Sequence, residues 1–283
     1  MAKKVGLALG AGGSWGFASL GVLRALEENE IAVDFLSGSS MGAVIAVAYA
    51  SGFKESETLK EISSIFQKIK LRHIIKLSTH PFGLSSHEKR QKYLEKILGD
   101  LTFEDLGIPV SVVATDFKSG EEVVFSKGAI LPAVLSSSSF LFLFAPYEYR
   151  GKTLTDGGLS NPTPTDLVKK MGADIVIGVD VTSKRHLTRL EVTRKWHHAI
   201  TLKIPFLKYF LSTRVDKIAN QLLDILFSNL NKEKIKNSPP DFLLSPIVTH
   251  FGQFDFKKID LIAEEGYKET LKIIPDLKKL LAS

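Results

Sequence analysis

Short apolar runs alternate with longer stretches of helical spacing along nearly the whole chain. Val5-Gly-Leu-Ala-Leu9 reads as a first buried strand. After a glycine-rich stretch, Leu20, Leu23, Ala25 and Leu26 mark one apolar face of a helix. Phe35-Leu36 ends a second buried strand. From Met41 to about Gly52, small and apolar residues (Ala43, Val44, Ala46, Val47, Ala48, Ala50) predict a closely packed helix. Lys54 to Leu77 carries Ile62, Ile65, Phe66 and Ile69 at i, i+3, i+4, i+7 spacing, a further helix. Ser78 to Ser86, with Pro81 and Gly83, predicts a loop, and His87 to Leu98 a short helix. Ile108 to Thr115 is a buried strand and Glu121 to Phe125 a more exposed one. A helix from Ala129 to Leu135 leads into four serines, Ser136 to Ser139. Phe140-Leu-Phe-Leu-Phe144 is either a core strand or the wall of an acyl-chain site. Tyr147 to Leu154 suggests a hairpin turning at Gly151, and a helix follows from about Pro164. Ala173 to Asp180 gives a strong buried-strand signal. Arg189 to Asn229 reads as helix broken near Pro205, Pro239 to Leu244 as a last strand, and Lys257 to Leu281 as a terminal helical region interrupted near Pro275. No internal repeat or low-complexity linker interrupts this alternation, which predicts a single α/β domain over residues 1–283.

Composition narrows the class further. The apolar share of 44% is that of a soluble globular protein with a sizeable core. No run of about 18 apolar residues predicts a transmembrane helix. Met1-Ala-Lys-Lys has the charge of a signal peptide, but Val5 to Leu9 is too short for its apolar region, so a cytoplasmic protein is expected. The absence of cysteine excludes disulfides and thiol catalysis. The net charge of +6 is unevenly spread: Lys184 to Lys236 holds twelve Lys/Arg against four Asp/Glu, a surplus of +8. Such a segment fits an anionic surface as partner, or else a solvated helix face. The end of the Lys54–Leu77 helix, with Lys68, Lys70, Arg72 and Lys76 among aliphatic residues, could lie on an acidic membrane or pack as ordinary amphipathic helix.

Two stretches carry candidate chemistry. Gly38-Ser39-Ser40-Met41-Gly42 fits G-x-S-x-G between a strand and a helix, the context of a nucleophile elbow. The turn would lift the Ser40 hydroxyl over the first amides of the helix, which lack intrahelical partners. A Ser/Gly loop capping a core helix would read the same way. Gly10-Ala-Gly-Gly-Ser-Trp-Gly16 follows the first strand and presents several backbone N–H groups together, a ready anion site. A dinucleotide fingerprint needs a sixth-place glycine, and Trp15 stands there. An oxyanion hole is the other use, and a plain tight turn the third. Successive parallel strands would open both loops on one edge of the sheet. Thr155-Asp156-Gly157-Gly158 ends a strand further on, and an aspartate before two glycines is usually a turn residue.

Taken together, these pieces resemble the patatin-like phospholipases, in their bacterial branch, over nearly the full length. Gly38-Ser-Ser-Met-Gly42 and Asp156-Gly-Gly158 match closely, and Ile108-Pro-Val-Ser-Val-Val-Ala-Thr-Asp116, Phe254-Asp-Phe256 and Glu265-Gly-Tyr267 resemble the bacterial sequences. The resemblance implies a three-layer α/β/α sandwich with a mostly parallel sheet, and a Ser–Asp dyad with no histidine. Carried over by position, Ser40 is the nucleophile, Asp156 the base, and the amides around Gly12 and Gly13 the oxyanion hole. No cofactor or metal is implied. The substrate implied is a phospholipid or other acyl ester. Two departures stand out. The family loop usually reads Gly-Gly-Gly-Gly-x-Arg-Gly, whereas Ala11 replaces one glycine here and Trp15 the basic residue, removing a cation expected near the site. Leu141-Phe142 stands where the family often has Pro-Gly, which makes the approach to Ser40 narrower or greasier.

Several competing readings remain at this level. An α/β-hydrolase triad fills its Ser…Asp…His order with Ser40, Asp156 and His250. Against it, the elbow falls after only one earlier strand. An acyltransferase on the same dyad and a non-catalytic lipid-binding protein also compete. Peripheral binding to an anionic membrane, at its inner face, is expected of the basic segment. No nucleic acid is expected as partner, since no recognition module accompanies the charge.

Overall fold

A computed structural model describes residues 2–52, 83–85, 91–92, 94–95, 98–140, 142–182, 214–253 and 255–283, with side chains left out at 83–85, 142–143 and 214–224. The helix read over Lys54–Leu77, the start of the one over His87–Leu98, and the whole of the basic segment before Arg214 lie outside the described residues.

Ten strands and seven α-helices are described. They are β1 (Val5–Leu9), α1 (Ala18–Glu28), β2 (Phe35–Ser39), α2 (Met41–Ala50), β3 (Gly83–Ser85), β4 (Val110–Asp116), β5 (Glu122–Phe125), α3 (Ile130–Ser137), β6 (Phe142–Phe144), β7 (Tyr147–Tyr149), β8 (Lys152–Asp156), α4 (Thr165–Lys170), β9 (Ile175–Val179), α5 (Arg214–Asn237), β10 (Phe242–Leu244), α6 (Ile259–Leu271) and α7 (Ile274–Ala282). The main sheet runs β10-β9-β1-β2-β4-β8-β7, with β5 also on β4. The pairs from β10 to β4 are parallel, and β5, β8 and β7 join antiparallel. Both faces of the parallel half are covered, which is why its strands read as continuous apolar runs. Leu7 and Leu9 face the larger core, with α1, α2 and α6, whereas Ala8 faces a smaller cluster with Val168 and Val176. These layers form an α/β fold of the kind expected.

The register along β4 positions the site. Residues Leu36 to Ser39 of β2 pair with Val110 to Val113, and Leu154 to Asp156 of β8 pair with Asp116 to Ala114. Strand β5 pairs with Val112 to Thr115, overlapping both sets, so it holds the opposite edge. Strands β2 and β8 therefore share one edge of β4, one after the other and running head-on. Their C-terminal ends, Ser39 and Asp156, meet at Val113 and Ala114.

Helices α1 and α6 cross at unusually short range. A Cβ on Gly21 would lie 1.7 Å from the Ala263 carbonyl oxygen, and one on Gly266 would lie 1.9 Å from that of Ala18. The crossing is flanked by an Arg24–Glu264 ion pair at 2.9 Å, by the Arg24 guanidinium 4.0 Å above the Tyr267 ring, and by Tyr267 Oη donating to Glu28 at 2.6 Å. The hydrogen bond to Glu28 raises the Tyr267 hydroxyl pKa, because losing the proton would break it.

Two differences from expectation have local causes. Gly83–Ser85, expected as loop, forms a strand paired in parallel with β6, because β6 supplies the backbone partners that a Pro/Gly-rich sequence does not advertise. The terminal helical region divides into α6 and α7 around Lys272-Ile273, with Pro275 in the first turn of α7, where its missing N–H costs nothing. Gly21→Ala is expected to lower stability by about 1–3 kcal/mol, because the methyl group enters occupied backbone space. Urea unfolding measures this, and an unchanged midpoint would show that the helices can part freely.

Candidate active site

Strand β2 ends at Ser39 and helix α2 starts at Met41, so Ser40 alone makes the turn. It does so at φ 55° and ψ −121°, a left-handed backbone for a residue carrying a Cβ. Such a conformation costs roughly 1–3 kcal/mol and persists only where its surroundings impose it. Here they do. The Ser40 carbonyl accepts from Ala43 N at 3.1 Å and Val44 N at 3.3 Å, and its N–H donates to Ser137 Oγ at 2.9 Å. The elbow glycines are required by space. A Cβ on Gly38 would lie 2.5 Å from Ala43 Cα, and one on Gly42 would lie 2.1 Å from the Leu9 carbonyl oxygen.

Asp156 closes β8 and is 2% exposed. Its Oδ2 accepts from Ser40 Oγ at 2.6 Å, and its Oδ1 accepts from Gly158 N at 2.9 Å, capping the short turn Gly157–Leu159. The backbone is held too: Asp156 N donates to the Ser139 carbonyl at 3.1 Å, and the Asp156 carbonyl accepts from Thr115 Oγ1 at 2.8 Å. A Cβ on Gly157 would strike the Val113 carbonyl oxygen at 2.2 Å, so only glycine lets the chain leave β8 against β4.

The glycine-rich loop crosses the same edge. Four of its amides are engaged: Gly10 with the Val179 carbonyl at 3.0 Å, Ala11 with Pro162 at 2.9 Å, Ser14 with Gln253 at 2.8 Å and Trp15 with Gly12 at 3.2 Å. Among the described residues, no group accepts from the N–H of Gly12 or Gly13. Gly13 is left-handed, at φ 59°. Gly10 and Gly16 instead serve packing, with hypothetical Cβ atoms 2.4 Å from the Val179 carbonyl oxygen and 2.8 Å from Met41 Cβ.

These pieces converge on one cleft, of about 330 Å³ including its open mouth. Ala11, Gly12, Gly13, Ser40 and Asp156 line it, together with Phe140 and Phe227. Ser40, Asp156, Gly12 and Gly13 are thus brought together. Gly158 packs beneath the cleft, its hypothetical Cβ 3.0 Å from Ala11 Cβ and 3.4 Å from Phe227 Cε1. Of the phenylalanine run, Phe140 faces the cleft half-buried, while β6 goes to the small sheet with β3. A hydroxyl in direct contact with a buried carboxylate can pass its proton to it.

Three placements were not legible in sequence or differ from it. Phe227 reaches the cleft from α5, far along the chain, and no local motif marks it. Ser137 sits in the serine run that follows the helix expected over Ala129–Leu135, and only the fold brings it to the elbow. Trp15, which stands where the family has a basic residue, points inward: it is 4% exposed and its Nε1 donates to the Phe251 carbonyl at 2.9 Å. Its indole therefore anchors the turn before α6 to the loop. His250 is exposed, its ring 3.9 Å from that of Phe251, and it is not among the residues lining the cleft.

Comparison with known proteins finds relatives along the chain. The family model for patatin-like phospholipase matches residues 7–169. An uncharacterized NTE family protein of Mycobacterium tuberculosis is 35% identical over 178 residues, covering 63% of this chain and 49% of its own length. Lysophospholipase nte1 of Aspergillus niger is 26% identical over 98% of this chain and 18% of its own length. Mouse patatin-like phospholipase domain-containing protein 7 is 28% identical, over 93% of this chain and 20% of its own. The chain thus spans at most about half the length of these curated relatives. Among solved structures, VipD from Legionella pneumophila superimposes with a TM-score of 0.53 at 15% identity, over 97% of this chain and 67% of that one, a likeness of fold.

Trp15→Phe should lower stability by about 1 kcal/mol, since the Phe251 carbonyl loses its donor in a buried place. Thermal or chemical unfolding measures the loss. Wild-type stability in this variant would mean that the indole N–H is not holding the turn.

Proposed function

The chain belongs to the patatin-like phospholipase family, and on that footing we propose that it is a serine esterase acting on lipid acyl esters, of phospholipase A or lysophospholipase type. The proposal takes residues 1–283 as one domain and carries over from relatives named as phospholipase and lysophospholipase. The observation that supports it most is the direct 2.6 Å contact from Ser40 Oγ to Asp156 Oδ2, at a cleft where two loop amides stand without partners among the described residues.

In this mechanism Ser40 Oγ attacks the ester carbonyl while its proton passes to Asp156 Oδ2. The carbonyl oxygen becomes an alkoxide and is received by the Gly12 and Gly13 amides; loss of one such donor typically costs about 2.7–4 kcal/mol of barrier. The C–O bond to the leaving alcohol breaks, the alcohol takes the proton from Asp156, and an acyl-Ser40 ester remains. Water then attacks that ester, Asp156 accepts its proton, and the acid leaves as Ser40 regains a hydrogen. Dividing the transfer in two is the gain of a covalent route. A carboxylate is a weak base in water, so the contact must be held tightly in a partly dry site. The burial of Asp156 and its bonds to Gly158, Ser139 and Thr115 support that requirement. Phe140 and Phe227 give the acyl chain an apolar wall.

Hydrolysis of a soluble acyl ester by purified variants tests the assignment. Ser40→Ala and Asp156→Asn are expected to lose roughly 10³-fold or more in rate while keeping their fold. His250→Ala should retain most activity. If His250→Ala loses as much as Ser40→Ala without unfolding, a triad replaces the dyad.

The same proposal includes peripheral association with an anionic lipid surface. Its support is the +8 surplus over Lys184–Lys236, together with Ile225 and Leu226 on α5, which are 38% and 63% exposed beside the cleft residue Phe227. Among the described residues, no helix is long and apolar enough to cross a membrane. Basic groups near an acidic surface contribute about 1 kcal/mol each, decaying over a Debye length of roughly 8 Å. Sedimentation with anionic vesicles should therefore weaken as salt rises, while cleavage of a soluble ester is spared by reversing several of these lysines. Equal binding to neutral and anionic vesicles at every salt level would leave the segment a solvated helix face.

A further inference from the structure

The four serines at the end of α3 do different things. Ser136 Oγ donates to the Pro132 carbonyl at 2.7 Å, Ser138 Oγ to Val134 at 2.5 Å and Ser139 Oγ to Leu135 at 2.7 Å, each folding back one turn along its own helix. Such back-bonding is common for serine in helices. Ser137 instead reaches across to the end of β2 and accepts the Ser40 N–H at 2.9 Å, both residues being buried. Two residues on, the Ser139 carbonyl accepts twice from β8: from Asp156 N at 3.1 Å and from Thr155 Oγ1 at 2.9 Å. One short segment is thus tied to the residue on each side of the Ser40–Asp156 contact, although those two lie 116 positions apart.

We propose that Ser137 is a positioning residue that holds the Ser40 elbow at its strained backbone angle, while the Ser139 carbonyl holds Asp156, so that the end of α3 clamps the dyad together. The inference rests on the proposed esterase function. Its physical ground is that the Ser40 N–H sits at the head of a left-handed turn, buried, where an unpaired donor is costly. Without the Ser137 oxygen, the turn relaxes toward any position that finds the N–H another partner. Even a shift of about 1 Å in a reacting group can cost about 10²-fold in rate. Ser137 is not among the residues lining the cleft, so substrate binding is not its office.

The test is the rate at which a fluorophosphonate forms its adduct on Ser40, with the adduct mapped by mass spectrometry, alongside kcat and KM for a soluble ester. Ser137→Ala is expected to slow adduct formation about 10- to 100-fold and to lower kcat with KM little changed. Ser137→Thr, which keeps the oxygen, should recover most of the rate. Ser136→Ala, which loses a hydroxyl that, among the described residues, bonds only within its own helix, should react within about twofold of wild type and controls for a general loosening of α3. If Ser137→Ala does not fold, the comparison passes to Ser137→Cys, close in size but a weak acceptor, for which the same slowing is expected. An adduct on Ser40 of the wild type that forms equally fast in the folded Ser137 variant overturns the clamp alone. A wild-type protein that forms no adduct on Ser40 overturns the esterase function and the clamp with it.

Discussion

The structure turns on the abutment of β2 and β8 along one edge of β4. A parallel strand and an antiparallel strand share that edge in succession, so their C-terminal ends face each other at Val113 and Ala114. Everything at the cleft follows from this. The 2.6 Å contact between Ser40 and Asp156 is the place where two strand ends run out of ladder. The glycines around it are there because backbone occupies the space a side chain would need: Leu9 at Gly42, Ala43 at Gly38, Val113 at Gly157. Substituting any of these moves a strand end, not merely a loop.

A junction of this kind leaves backbone groups without ladder partners, and their bonding divides the cleft into support and function. The Ser40 and Asp156 amides are satisfied by Ser137 and Ser139. The amides of Gly10 and Ala11 are satisfied by β9 and the loop around Pro162, those of Ser14 and Trp15 by Gln253 and Gly12. The amides that remain unpaired among the described residues belong to Gly12 and Gly13, which line the same cleft as Ser40. Buried or partly buried donors are rarely left idle without reason, and in the proposed reaction an anion formed at Ser40 is their partner.

Much of this was legible in the chain, for identifiable reasons. The apolar runs of β1, β4 and β9 announce strands covered on both faces, and G-x-S-x-G announces the elbow because its steric demand is local. Asp156 is different: its Asp-Gly-Gly reads as an ordinary turn, and only resemblance to a family pairs it with Ser40, since no spacing rule links residues 116 apart. Phe227 and Ser137 were not legible at all. Their roles depend on where α5 and the end of α3 come to rest, which nothing nearby in sequence encodes. The role of Trp15 was not legible for a related reason. Its place in the glycine loop says that a cation is missing there, not where the indole goes; the large ring is drawn into the core, where Phe251 supplies an acceptor.

The central claim is that Ser40, Asp156 and the two glycine amides form one reacting centre. A crystal structure of the fluorophosphonate-treated protein addresses it most directly. The account predicts phosphorus bonded to Ser40 Oγ, Asp156 Oδ2 still beside it, and the phosphoryl oxygen about 2.7–3.1 Å from the Gly12 and Gly13 nitrogens. A phosphoryl oxygen turned away from the glycine loop, or an adduct on any other residue, would contradict it.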